Sequence, residues 1–191
     1  MPCISDPGEP LVQLCHQLGV PMEVVPGPSA AIAALAISGQ HTSRFAFEGF
    51  LSVNRNQRAA HLEQLRDEQR TMIFYEAPHK LCRTLADMAA VFGGDRSLSL
   101  CRELTKIHEE VQLTTFAQAI AYYENTPPRG EYVLVVAGAV PQKAESITLE
   151  EAVEQVRRCV ADGQKLTQAC KTVAAETGYR KSELYDAVQE S

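Results

Sequence analysis

The chain has 191 residues with a formal net charge of −6, 45% hydrophobic and 22% charged. That is ordinary for a globular protein of one core plus a small satellite, and no apolar run approaches the roughly 20 residues that span a bilayer. The acidic balance excludes nucleic-acid binding through a general basic surface, since Lys and Arg supply most non-specific affinity for phosphates.

In chain order, Glu9 to Leu18 reads as a helix with Leu11, Leu14, Cys15 and Leu18 on one stripe, closed by Gly19. Met22 to Val25 reads as a short apolar strand. It breaks at Pro26-Gly27-Pro28, and Ser29 is a good N-cap for the Ala-rich helix that follows to Ser38. Free N–H groups at such a helix start suit a backbone-lined ligand site above the strand end, although a tight strand-to-helix turn without a ligand has the same pattern.

Phe45 to Phe50 alternates as a strand with Phe45, Phe47 and Gly49 on one face. Gln57 to Glu68 is a polar helix anchored by Leu62 and Leu65, and Thr71 to Tyr75 a buried strand. Pro78 to Phe92 is a helix with Leu81, Leu85, Met88 and Phe92 at helical spacing, stopped by Gly93-Gly94. Ser97 to Arg102 is a strand, Thr115 to Glu124 a helix capped by Thr114, and Glu131 to Ala137 a last, nearly all-apolar strand. The alternation predicts an α/β fold with helices on a sheet buried on both faces.

Ala139 to Ile147 loses periodicity and reads as a linker. Thr148 to Ala161, Thr167 to Glu176 and Lys181 to Gln189 form a small three-helix, helix-turn-helix-like module. With seven basic and nine acidic residues from Gln142 on, the module suits protein packing or RNA orientation better than DNA binding. The six cysteines lack a Cys-x-x-Cys pair and read mostly as buried free thiols. His79 and Cys82 share a helical face without two further ligands, so no metal is expected. The start carries no secretory pattern, which predicts a cytoplasmic protein.

Five blocks occur in order: Val24-Val25-Pro26-Gly27-Pro28-Ser29-Ala30, Arg44 to Phe50, Phe74-Tyr75-Glu76-Ala77-Pro78-His79-Lys80, Arg102 to Glu110, and Pro128-Arg129-Gly130-Glu131 to Val136. Together they resemble the bacterial small-subunit ribosomal RNA cytidine 2'-O-methyltransferase family, a branch of the tetrapyrrole methylase superfamily that uses S-adenosylmethionine. The resemblance covers nearly the whole chain. It implies a mixed sheet flanked by helices and a homodimer acting on small-subunit ribosomal RNA. Family members carry an N-terminal half with a glycine-rich donor loop, ending in a run whose last part matches Pro2-Cys3-Ile4-Ser5-Asp6-Pro7-Gly8. The expectation is therefore residues 1–25 as the remnant of an N-terminal domain, 26–138 as a C-terminal α/β domain, 139–147 as linker and 148–191 as the helical module, with the chain a partial enzyme that is inactive alone.

By the same resemblance, Ser5, Asp6, Pro28, Ser29, Ala30, Tyr75 and Gly130 are expected to bind S-adenosylmethionine. Glu76, Arg102, Glu103 and Lys106 are the catalytic candidates. Arg102 and Lys106 could hold RNA phosphate while Glu103 or Glu76 takes a proton, and an ion-pair network tying strand to helix explains the same charges. A tetrapyrrole or other small-molecule acceptor and a non-enzymatic RNA- or protein-binding module are the alternatives. The Glu-Leu-Thr-Lys-x-His-Glu-Glu block of 103–110 and the helical tail resemble the ribosomal RNA branch, which speaks against a small-molecule acceptor and leaves the binding-module reading open.

Overall fold

A computed structural model of the chain describes residues 1–140 and 148–190. The chain divides into two compact units, residues 1–140 and 141–191. The expected linker lies, from residue 141 on, outside the described residues. The first unit contains α1 (Glu9–Leu18), α2 (Ala30–Ile37), β1 (Phe45–Phe50), α3 (Arg55–Gln64), β2 (Thr71–Glu76), α4 (Pro78–Phe92), β3 (Ser97–Arg102), β4 (Glu110–Thr115), α5 (Phe116–Tyr123) and β5 (Tyr132–Val136). The second contains α6 (Leu149–Ala161), α7 (Leu166–Thr177) and α8 (Lys181–Glu190).

The five strands form one mixed sheet in the order β1-β2-β5-β3-β4. β1 and β2 are parallel, and every other pair is antiparallel. Because side chains alternate across a strand, each central strand feeds two cores. Met72 and Phe74 of β2, Leu98 and Leu100 of β3, and Leu134 and Val136 of β5 pack under α3, α4 and α5. Ile73, Cys101, Val133 and Val135 pack on the opposite face against Ala31, Ala34 and Leu35 of α2. The second face is only part covered: Phe45, Leu113 and Ile37 stay exposed.

Three expectations change. Met22 to Val25 is not a strand: it runs extended and exposed, because no strand lies beside it among the described residues to take its backbone hydrogen bonds. The helix α1 forms and Gly19 caps it in the left-handed region (φ +65°), yet none of its residues is buried. Residues 110–115, assigned no strand from sequence, form β4 on the sheet edge, so Thr115 rather than Thr114 caps α5. Its hydroxyl accepts the Gln118 N–H in a capping box.

The aromatic alternation of β1 also breaks. A register shift between Phe47 and Gly49, with Gly49 at φ +63°, turns Phe50 to the same side as Phe47. Both rings then pack on Tyr75, with centroids 5.1 and 5.5 Å away. Ser29 is the N-cap of α2 but its side chain makes no capping bond. The Tyr75 hydroxyl takes that place from β2, accepting the Ala31 N–H at 3.1 Å.

In the helical module, Ala152, Val156, Ala169, Cys170, Val173 and Leu184 close a small core. A Thr148–Glu151 capping box starts α6 and a left-handed Gly178 ends α7.

Of the six free cysteines only Cys101 and Cys170 are buried, and Cys82 is exposed. Burial, with a smaller push from Glu109, raises the Cys101 thiol to about 11. In the native chain at pH 8, iodoacetamide should therefore modify Cys82 and spare Cys101, read by mass spectrometry, with both modified after denaturation.

Two substitutions test the packing. A Cβ at Gly138 would lie 1.9 Å from the Gln69 carbonyl oxygen. Gly138→Ala should cost on the order of 3 kcal/mol, read as a lower denaturant midpoint at unchanged slope. Tyr75→Phe leaves the buried Ala31 N–H without its acceptor and should cost about 1–2 kcal/mol in the same measurement.

Candidate functional site

β3 runs parallel to β2, and β5 opposes both, so the ends of β1, β2 and β3 and the start of β5 meet at one edge of the sheet. Backbone groups leaving a sheet at such an edge are free to meet a ligand. A cavity of about 380 Å³ opens there. Phe50, Tyr75, Cys101 and Val133 come from the four strands, Ala30 from the start of α2, and Ile4, Ser5 and Asp6 from the N-terminal segment. Glu76, Glu103, Leu104, Lys106 and Glu131 complete its rim. The volume falls in the range of small-molecule sites, roughly 300–1,000 Å³.

The tightness of the turns explains the glycines and the unusual backbone. Ser5 lies at φ +51°, and a Cβ on Gly49 would come 2.8 Å from its Oγ. A side chain at 49 would force the Ser5 hydroxyl to move and would strain the backbone at φ +63°, so glycine suits this close approach. At the start of α2 the first N–H groups have no intrahelical acceptor. Tyr75 takes that of Ala31, which fixes the helix end against β2 and brings Ala30 to the cavity wall.

Among the expected donor-binding residues, Ser5, Asp6, Ala30 and Tyr75 line this one cavity. Pro28, Ser29 and Gly130 do not. Pro28 is exposed, Ser29 stands one residue before the wall, and Gly130 sits behind Glu103.

The four catalytic candidates separate by their partners. Glu76 is buried with both oxygens in use: Oε1 accepts the Ala77 N–H at 2.9 Å and Oε2 the Thr84 hydroxyl at 2.5 Å. It ties β2 to the first turns of α4, where a helix N-terminus favours a carboxylate. Arg102 does not line the cavity. Its Nη2 pairs with Glu110 Oε2 at 2.8 Å, joining β3 to β4, while its buried Nε has no hydrogen-bond partner among the described residues. The ion pair thus ties strand to strand, not strand to helix.

Glu103 and Lys106 lie on the rim. Glu103 Oε1 accepts from the Glu131 N–H at 2.9 Å and from Lys106 Nζ at 3.1 Å, and Nζ also reaches Glu131 Oε2 at 3.1 Å. The Glu131 amide first, and then Lys106, holds the Glu103 carboxyl below the usual range. The bond to Glu103, followed by that to Glu131, raises the Lys106 ammonium. Glu131 was not singled out from sequence, although it follows Gly130 directly. Phe50 was assigned to the far side of its strand, and nothing local signals the register shift that brings it here.

The residues present suit S-adenosylmethionine. The walls offer apolar and aromatic surface for a nucleoside at Ile4, Phe50, Tyr75, Leu104 and Val133, with Asp6, Glu103 and Glu131 as carboxylates for a ligand carrying positive charge. Among the described residues no group of three or more His, Cys, Asp or Glu could hold a metal ion, and no helix is long and apolar enough to cross a membrane.

Residues 1–120 match the family model described as Tetrapyrrole (Corrin/Porphyrin) Methylases. The protein of Synechocystis sp. named "Ribosomal RNA small subunit methyltransferase I" is 44% identical over 184 residues, which is 96% of this chain and 66% of that protein. The Mycobacterium tuberculosis protein of the same name is 43% identical over 191 residues, 100% of this chain and 65% of that protein. The chain thus spans just under two thirds of the length of these curated relatives. In fold it is similar to the solved methyltransferase CobJ, with a TM-score of 0.50 at 21% identity over 69% of this chain and 56% of that one. With its mixed five-stranded sheet and the family model matching well over half its length, the chain belongs to the tetrapyrrole methylase family.

Proposed function

We propose that the protein methylates the 2'-oxygen of a cytidine ribose in small-subunit ribosomal RNA, with S-adenosylmethionine seated in the cavity at the sheet edge. One observation carries the reading: segments far apart in sequence, at Ser5-Asp6, Ala30, Tyr75 and Glu103 to Lys106, converge on a single cavity of ligand size. The relatives more than 40% identical carry the name of a ribosomal RNA methyltransferase, which favours RNA over a tetrapyrrole as acceptor.

When bound, the donor supplies a methyl group on a positive sulfur, so transfer forms one O–C bond, breaks one S–C bond, leaves a neutral thioether and releases the hydroxyl proton to water. Because that leaving group is already good, the task of the chain is alignment and exclusion of water. Tyr75, held between Phe47, Phe50 and the start of α2, walls the apolar side. Ser5 and Asp6 add polar groups to the same lining. Pro28 and Ser29 shape the approach to α2, and Arg102 and Glu76 anchor the strand ends that carry the rim. Action as a cytoplasmic homodimer on the ribosomal subunit belongs to the same reading and rests on the resemblance.

A methylation assay with labelled donor tests it. Incorporation is expected into small ribosomal subunits, mapped to a ribose 2'-oxygen, and not into a porphyrin precursor. Transfer to the porphyrin precursor, or none to RNA in any form, would overturn the proposal. Calorimetry should show donor binding that Ala30→Trp, which fills the cavity at its wall, reduces at least about tenfold.

A further inference from the structure

Glu103 adopts the left-handed backbone conformation, φ +50°, which a residue with a Cβ rarely occupies. Such a geometry persists only where the surroundings fix it. Here its N–H donates to the Glu131 carbonyl at 3.1 Å, and its carboxylate accepts the Glu131 N–H in return. The two residues extend the β3–β5 pairing past the last ladder pair, Arg102 with Tyr132. The same carboxylate oxygen holds Lys106 Nζ, whose second donor reaches Glu131 Oε2. An ammonium has three donors, so one is left for a ligand at the rim of the cavity that Lys106 lines.

Gly130 makes this arrangement possible. A Cβ there would lie 2.5 Å from Glu103 Cγ and 2.6 Å from its Cδ and Oε1. Any side chain at 130 would expel the carboxylate from its place, and φ +76° at Gly130 adds strain for any L-residue.

We infer that Gly130 is the slot that seats Glu103, that Glu103 is a positioning residue and not the proton acceptor, and that Lys106 is the group that touches the acceptor. This rests on the RNA-methylation reading above. The remaining Lys106 N–H meets the ribose hydroxyl oxygen: the two carboxylates it already pairs with neutralise the ammonium, so it offers the acceptor a directed hydrogen bond, not an unpaired charge for a phosphate. A carboxyl held below its usual range is also a poor proton acceptor at neutral pH, in keeping with the positioning role.

The test uses the whole chain and four forms: wild type, Gly130→Ala, Glu103→Ala and Glu103→Gln. The first readout is the NMR titration of the Lys106 ammonium, which needs no activity. Its midpoint should fall in Gly130→Ala and Glu103→Ala, and fall less in Glu103→Gln, whose amide oxygen still accepts both hydrogen bonds. The second is the pH profile of methyl transfer to small-subunit RNA. kcat/KM for RNA should drop at least about tenfold in Gly130→Ala and Glu103→Ala, with Glu103→Gln recovering most of the loss and keeping the shape of the wild-type profile.

A Lys106 midpoint that is the same in all four forms overturns the positioning role, whatever the activity. Glu103→Gln as impaired as Glu103→Ala, with the acidic limb of the profile gone, overturns it in favour of a general base. Shifted midpoints in a chain whose wild type transfers no methyl to RNA support the positioning and remove the acceptor reading instead.

Discussion

The structure depends on β5. All five residues from Tyr132 to Val136 are buried, and the strand pairs on both sides, with β2 and with β3. Tyr132, Leu134 and Val136 anchor one core, and Val133 and Val135 the other. A strand used on both edges and both faces cannot slip, since a shift of one residue would exchange the two cores. Its start is correspondingly fixed, and Gly130 and Glu131 just before it inherit that fixity.

Strand direction then decides where chemistry can happen. Because β5 runs against both neighbours, its beginning lies beside the ends of β2 and β3, and the parallel β1 adds its own end. Four turns leave the sheet at one edge and enclose the cavity. The opposite edge carries packing contacts instead, such as Ala139 N–H to the Glu68 carbonyl and Ala137 N–H to that of Ser97. The two faces are unequal as well. Three helices cover one, while α2 covers the other almost alone, which leaves α2 open beside the cavity wall.

Much of this was legible in the sequence. The continuous apolar run from Tyr132 to Val136 announced a strand buried on both faces, and Leu81, Leu85 and Met88 announced the buried stripe of α4. The Pro26-Gly27-Pro28-Ser29 junction located the start of α2, and the resemblance drew attention to Ser5, Asp6, Ala30, Tyr75, Glu103 and Lys106, all on one cavity. The misreadings have physical causes. Val24-Val25 has strand composition, but composition supplies no partner. Val111 and Leu113 alternate with Glu110 and Gln112 as an edge strand should, but an alternation this short becomes a strand only through its pairing with β3.

Local order, then, was set by the sequence alone: which segments turn apolar with period two or near four, where Pro and Gly stop them, and which charges fall at their ends. Those properties depend on neighbours a few residues apart. Partnership was decided only by the tertiary structure. Tyr75 in place of Ser29 on the Ala31 amide, Phe50 turned onto Tyr75 by the shift at Gly49, Arg102 drawn off to Glu110, and Glu103 seated over Gly130 all join residues that the chain brings together only when the sheet closes. Hydrogen bonds and steric contacts act over a few ångströms, so distance in space, set by strand order, chose among charges that looked equivalent along the chain.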